Sequence, residues 1–223
     1  MDLAAVRGRI AAAAARAGRR ASDVTLVAVT KGHPLDRVRE AVAAGLLDVG
    51  ESRVQEALGK QAEWPAAPVR WHLIGHLQRN KVALAVGRFA LIHSLDSLRL
   101  AEALEKAAAA VGVVQEVLVE VNVAAEAQKS GVPPEDAPAL VARASHLAHL
   151  RLRGLMCLAP YTPDTGVQRH VFRRLRELRD GLATSDVPLA VLSMGMSADF
   201  EIAVEEGATM VRLGTILFGE RES

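Results

Sequence analysis

The sequence predicts a single α/β domain folded as a (β/α)8 TIM barrel, on three observations. Strand-like and helical periods take turns along the chain, eight apolar strand-length runs are separated by helices, and 223 residues suit one such barrel. Alternating strands and helices imply right-handed crossovers and a parallel sheet, and strands apolar on both faces imply helices covering the outside. An open doubly wound sheet is the rival. It has the weaker case, because no G-x-G-x-x-G follows the first strand.

Residues 1–20 read as a leading amphipathic helix, because Arg7, Arg9, Arg16, Arg19 and Arg20 interrupt its alanines, which a signal peptide would not allow. Residues 24–30 (VTLVAVT) are a continuous β-branched run, and 34–44 follow with helical spacing up to Gly45. Strands are then expected at 47–50, 69–75, 90–93, 113–123, 152–156, 189–192 and 209–213. Helices are expected at 52–62, 79–86, 97–110, 134–149, 166–182 and 197–206. Prolines open the helix at 134, where a missing N–H matters least. No linker rich in Gly, Ser or Pro divides the chain, so residues 1–223 are expected to form one domain.

Composition excludes several function classes. With 27 basic against 26 acidic residues the net charge is +1, which does not favour nucleic acid or an anionic membrane as partner. No uncharged apolar run is long enough for a membrane span. A single cysteine makes no internal disulfide, so a reducing cytoplasmic setting fits.

In a barrel, function gathers at the C-terminal strand ends. Those ends carry Lys31, Gly50-Glu51-Ser52-Arg53, His72 to His76, His93-Ser94, Asn122, Met156-Cys157, Ser193 to Ser197 (SMGMS) and Arg212 to Thr215 (RLGT). Only five of the basic residues are lysines. Lys60, Lys81, Lys106 and Lys129 sit in helical or loop contexts, where a solvated charge is the plain reading. Lys31 ends an apolar strand. An amine in partly apolar surroundings has its pKa lowered, and the neutral form attacks carbonyls to give a Schiff base. A lysine merely reaching for water is the competing reading.

The loops after strands seven and eight are where barrels often bind phosphate. Ser193, Ser197 and Thr215 offer hydroxyls, and Gly195 and Gly214 let backbone N–H groups approach; Ser197 suits the N-cap of a helix at 198–206. A carbonyl-reactive lysine opposite a phosphate cradle fits a sugar phosphate or pyridoxal 5′-phosphate (PLP). Arg212 would donate to the pyridine nitrogen of the latter and keep it unprotonated, making the ring a poorer electron sink.

The chain resembles the YggS/PROSC family, the pyridoxal phosphate homeostasis proteins. The likeness runs nearly end to end, through LVAVTKGHP, VGESRVQE, WHLIGHLQRNK, IHSLDS, VLVEVNVAAEAQKSG, LRGLM and LSMGMSADFEIAVEEGATMVRLGTILFGER. The resemblance implies an alanine-racemase-like barrel of PLP fold type III, with Lys31 as Schiff-base partner. It places Ser193, Ser197, Gly214 and Thr215 near the phosphate, Arg212 at the ring nitrogen, and Asn122 and Met156 against the cofactor; His72 is expected beside the ring. It also implies cofactor buffering or delivery without an established reaction; apoenzymes as recipients and a monomer are further expectations. One departure concerns Ser52, where the family usually has asparagine; the shorter side chain leaves a gap for water or a weaker hold. Racemases of this type carry a second, β-rich domain with a second proton-transfer residue, and this sequence has no length left for one. Negligible turnover is therefore expected, against a small PLP-dependent racemase or other Schiff-base enzyme as alternative, or an interaction module with a vestigial site.

Other residues have plain readings. His72 and His76 straddle a strand end, without metal-ligand spacing on one helix face, so no metal is expected. Cys157 is expected to be a buried thiol, Trp64 and Trp71 to pack, and Asp199 and Glu201 to favour a helix dipole. Arg173, Arg174, Arg176 and Arg179 read as a solvated helix face, or as a docking surface.

Overall fold

The computed structural model of the chain describes residues 2–126 and 130–220; Lys129 lies outside them. Eight parallel strands close into a barrel in sequence order: β1 (Thr25–Val29), β2 (Asp48–Glu51), β3 (Arg70–Leu73), β4 (Leu91–Leu95), β5 (Gln115–Glu120), β6 (Leu150–Met156), β7 (Val191–Ser193) and β8 (Met210–Leu213). β8 returns to β1, with Thr25 opposite Met210 and Ala28 opposite Leu213. The helices are α1 (Leu3–Arg16), α2 (Leu35–Ala43), α3 (Val54–Glu63), α4 (Val82–Ala85), α5 (Leu98–Val111), α6 (Ala137–Ser145), α7 (Thr165–Leu182), α8 (Phe200–Glu205) and α9 (Thr215–Phe218). No described helix is long and apolar enough to cross a membrane.

Alternation along each strand sorts the side chains into two layers. Val49, Leu73, Val119, Leu155, Leu192 and Val211 face outward and pack under the helices. Burying each such side chain fully contributes about 1.5–3 kcal/mol. Val27, Leu91, Leu118, Met156 and Met210 pack together inside the barrel. Other inward positions are polar: Asp48, His72, His93, Glu120, Ser193 and Arg212 are all buried.

Several boundaries differ from the sequence expectation. β5 ends at Glu120, because Val132 N–H donates to Glu120 O (2.9 Å) and Asn122 N–H donates to Val132 O (2.8 Å), so the chain turns into a strap there. The segment at 79–86 is a 3-10 turn, Arg79–Lys81, followed by the single turn α4. The helix expected from 198 begins only at Phe200. Ser197 does not cap it: its Oγ accepts from Ile216 N–H (3.3 Å), tying the β7–α8 loop to α9.

The leading helix braces the wall beside that loop. Arg9 pairs with Glu201 (2.8 Å) and Arg16 with Glu205 (2.7 Å), while Arg19 donates to Val204 O and Ala208 O (both 2.8 Å). From the other side Arg169, Arg173 and Arg176 of α7 all reach the carboxylate of Glu206. The arginine face of α7 is thus partly engaged in fixing α8, a correction to its reading as merely solvated.

Candidate active site at the barrel mouth

A cavity of about 560 Å³ opens at the C-terminal ends of the strands. It is lined by Lys31, Ser52, Ser197, Arg212, Gly214 and Thr215, all expected there from sequence. His76 and Met196, from the strand-end segments, also line it, as do Glu120, His33 and Tyr161, which were not foreseen. A volume of this size is typical of small-molecule sites. An outer cleft of about 600 Å³ includes Arg16, Arg169 and Glu205, but these charges pair with one another.

Lys31 sits in a tight turn after β1, closed by His33 N–H to Thr30 O (3.0 Å), with Gly32 at φ +71°. The backbone on both sides of Lys31 is held by a buried charge cluster. Lys60 Nζ donates to Thr30 O (2.8 Å), to Glu51 Oε1 (2.6 Å) and to Glu56 Oε1 (3.0 Å). Glu56 in turn accepts from Gly32 N–H (2.6 Å), and Thr30 Oγ1 donates to Glu51 (2.5 Å). Lys60 is only 6% exposed, which overturns its reading as a solvated helix charge. It lies three residues from Ala57 and six from Val54, on the buried stripe of α3, so helical spacing carries the signal. Burial pushes the Glu51 carboxyl up, against the hydrogen bonds of Lys60 and Thr30. At Glu56 burial is outweighed by Lys60 and the Gly32 N–H, and its carboxyl is held below the usual range.

Across the mouth, Arg212 is fixed from below. Its Nη1 donates to Ser193 Oγ (2.6 Å) and its Nη2 to Cys157 O (2.9 Å). Ser193 Oγ lies 3.0 Å from His93 Nδ1, His93 Nε2 lies 3.0 Å from His72 Nδ1, and His72 Nε2 lies 2.9 Å from Asp48 Oδ1. Arginine only donates, so Ser193 accepts from it. Burial, with the nearby His72 and Arg212, pushes His93 well below its ordinary value, so its ring is neutral. A neutral ring carries one N–H, so His93 donates through one nitrogen and accepts through the other along this chain. Asp48 also accepts from Arg70 Nε (2.7 Å). The carboxyl of Asp48 is lowered to about 2: burial would raise it, but bonds from His72 and Arg70 outweigh that.

Four expected site residues therefore do not line the cavity. His72 and Ser193 lie one layer below, in the hydrogen-bond chain that holds Arg212. Met156 belongs to the apolar barrel interior. Asn122 folds its own loop, its Nδ2 donating to Glu126 O (2.8 Å) and its Oδ1 accepting from Glu126 N–H (3.2 Å). Ser52 is pinned by Gly75: a Cβ there would stand 2.3 Å from Ser52 O, so only glycine permits this approach. Gly195, at φ +94°, serves the β7–α8 loop in the same way, since a Cβ would meet Ala203 Cβ at 2.6 Å. Cys157 is buried as expected. No group of metal-ligating side chains occurs among the described residues.

Glu120 was missed because the strand was expected to run to 123, which put Asn122 rather than Glu120 at its end. Parity gives it away: it shares the inward face with Leu118. Its carboxyl is pushed up to about 7 by burial and by the charge of Asp96, with Arg212 pulling it down.

The amine, the fixed guanidinium, the hydroxyls of Ser197 and Thr215 and the small Gly214 together fit an anionic aldehyde. The family model described as the alanine racemase N-terminal domain matches residues 1–222. A pyridoxal phosphate homeostasis protein of Pseudomonas aeruginosa is 48% identical over 221 residues, covering 99% of this chain and 95% of that protein. The structure of PipY of Synechococcus elongatus with PLP bound has a TM-score of 0.83 at 39% identity, covering 96% of this chain and all of that one. An alanine racemase of Clostridium difficile shares the fold (TM-score 0.74, 16% identity), and the match covers 90% of this chain and 56% of that one. The chain belongs to the alanine racemase N-terminal domain family, among the pyridoxal phosphate homeostasis proteins.

Proposed function

We propose that this chain binds PLP at the barrel mouth, on the amine of Lys31, and serves cofactor homeostasis by buffering and delivering it without appreciable catalysis. The observation that carries this is the convergence of Lys31, Arg212, Ser197, Gly214 and Thr215 on one cavity. The names of its relatives, and a neighbour solved with PLP bound, support the same role.

The cofactor supplies an aldehyde that condenses with an amine and a ring that withdraws electrons. The chain's residues bind and orient it. Ser197 and Thr215 offer hydroxyls to the phosphate, and Gly214 admits it close to the backbone. Arg212, held by Ser193 and the Cys157 carbonyl, presents a donor that never becomes an acceptor, so a ring nitrogen facing it stays unprotonated. This weakens the electron sink and restrains turnover. His72, His93 and Asp48 act through Arg212, while the Lys60 cluster holds the backbone around Lys31.

Borohydride reduction of the loaded protein, followed by peptide mass spectrometry, tests the attachment. The label is expected on the peptide containing Lys31 and absent from Lys31→Ala; equal labelling of another lysine in the wild type overturns it. Glu120 adds a second proton-holding group to the cavity, so turnover is assayed directly with amino acids. A rate near the usual enzymatic range, about 1 per second or more, would overturn the non-catalytic role. Delivery is tested by comparing transfer to an apo-acceptor enzyme with free PLP at matched concentration.

A further inference from the structure

Lys31 follows β1 and Glu120 ends β5, so in a closed barrel of eight strands the two stand on opposite walls of the mouth. Glu120 is 4% exposed and lines the cavity. Its carboxylate makes no hydrogen bond and no ion pair with any described residue. Other buried carboxylates are answered: Asp48 by Arg70 and His72, Glu51 by Lys60 and Thr30, Glu206 by three arginines. Burying an ionised carboxylate without a partner is costly, and such a group takes up a proton instead.

The surrounding charges do not remove that cost. From the turn after β4 comes Asp96, whose carboxylate pairs with His76 from beyond β3 (3.0 Å). From β4 itself comes His93, which is neutral. β6 presents Met156 on its inward face, without charge. Arg212 of β8 is the cation that draws on Glu120, yet its guanidinium is bonded to Ser193 and the Cys157 carbonyl. Lys31 and His33 face the cavity from the turn after β1. The loop after β5 carries Glu126, engaged with Asn122, and Lys129, outside the described residues.

We propose that Glu120 is the proton-carrying wall of the cofactor cavity and ties retention of PLP to pH, the cofactor being held more tightly below neutrality than above it. This rests on the cavity being the PLP site. A phosphate ester carries close to two negative charges at neutral pH. An ionised Glu120 repels such a ligand within the same cavity, whereas a protonated one adds a hydrogen-bond donor. Burial and the charge of Asp96 push the carboxyl up to about 7, where small changes in pH act on it. By linkage, a ligand that prefers the protonated cavity is bound with proton uptake, and a rise in pH releases it. One linked proton weakens retention by up to about tenfold per pH unit above the ionisation of Glu120.

Two measurements test this. In the PLP-free protein, carbon-13 NMR of labelled glutamate carboxyls should show one signal titrating near neutral pH that is missing from Glu120→Gln. If every glutamate titrates in the ordinary range, the proposal is overturned whatever the variant does. PLP affinity is then measured by equilibrium dialysis of wild type and Glu120→Gln across about two pH units around neutrality. Ionisations of PLP and Lys31 are common to both proteins, so the ratio of their dissociation constants isolates Glu120. That ratio should change about tenfold, with wild type losing affinity as pH rises and the Gln variant lacking that component. A constant ratio with PLP bound by both proteins overturns the proposal alone. No binding of PLP by the wild type at any pH overturns the cofactor assignment and the proposal together.

Discussion

Replacing Lys60 by methionine keeps much of the side-chain volume and removes the ammonium that joins β2, α3 and the Lys31 turn. Glu51, fully buried, would retain only the Thr30 hydroxyl on Oε1, and its Oε2 already has no partner. Removing one member of a buried ion pair costs about 3–5 kcal/mol, because the remaining charge stays desolvated. For a protein of this size, about 2–4 °C of melting temperature goes with each kcal/mol, so Tm should fall by roughly 6–20 °C. Urea unfolding at neutral pH gives the free energy directly, and PLP loading on Lys31 should slow, because Thr30 O and the partner of Gly32 N–H lose their anchor. The double variant Lys60→Met/Glu51→Leu removes both charges and should recover most of the loss, a strong departure from additivity. A single-variant cost below about 1 kcal/mol, or strict additivity in the double, would refute the assignment of this cluster as a mutually dependent buried pair.

Two further outcomes follow from the polar chain under Arg212. Asp48 titrates at about 2 in the fold against an ordinary 3.8, so its contribution is fully present above pH 4 and is lost as pH falls from about 4 to about 2. It amounts to about 2 kcal/mol, and Asp48→Asn should remove that part of the acid dependence in urea titrations, leaving the slope above pH 5 unchanged. Ser193→Ala should leave a buried Arg212 donor and a buried His93 nitrogen without partners, costing about 1–3 kcal/mol by denaturation and weakening PLP retention as Arg212 loses its fixed direction.

The barrel was legible because its strands are apolar, β-branched and punctuated, and because each following helix repeats with period 3.6. Boundaries slipped where a tertiary contact decides them. The strap around Val132 ends β5 early, and the Ser197–Ile216 bond postpones α8. Strand-end register was enough to find Lys31, Arg212 and Thr215, since the barrel aims those positions at one opening. It failed at Lys60 because charges are expected in water, and at Glu120 because the strand was expected to run past it to 123; both lie on buried stripes. Spacing with Val54 and Ala57 exposes the first, parity with Leu118 the second. The joining of Asp48, His72, His93 and Ser193 into one chain was beyond sequence reasoning, because it depends on inward side chains of the neighbouring β2, β3 and β4 meeting Ser193 of β7 across the barrel interior.

The two buried charged side chains of the mouth, Arg212 and Glu120, are treated oppositely. Arg212 is committed before any ligand arrives, through hydrogen bonds that run down to Asp48, so its direction costs little entropy on binding. Glu120 has no bonded partner among the described residues, and burial, with Asp96 raising and Arg212 lowering its carboxyl, sets its proton. A site built only of fixed donors would hold an anion without means of letting go. A site with one carboxyl that costs little to protonate and repels when ionised can do both, which is what a carrier requires and what an enzyme retaining its cofactor through every turnover does not.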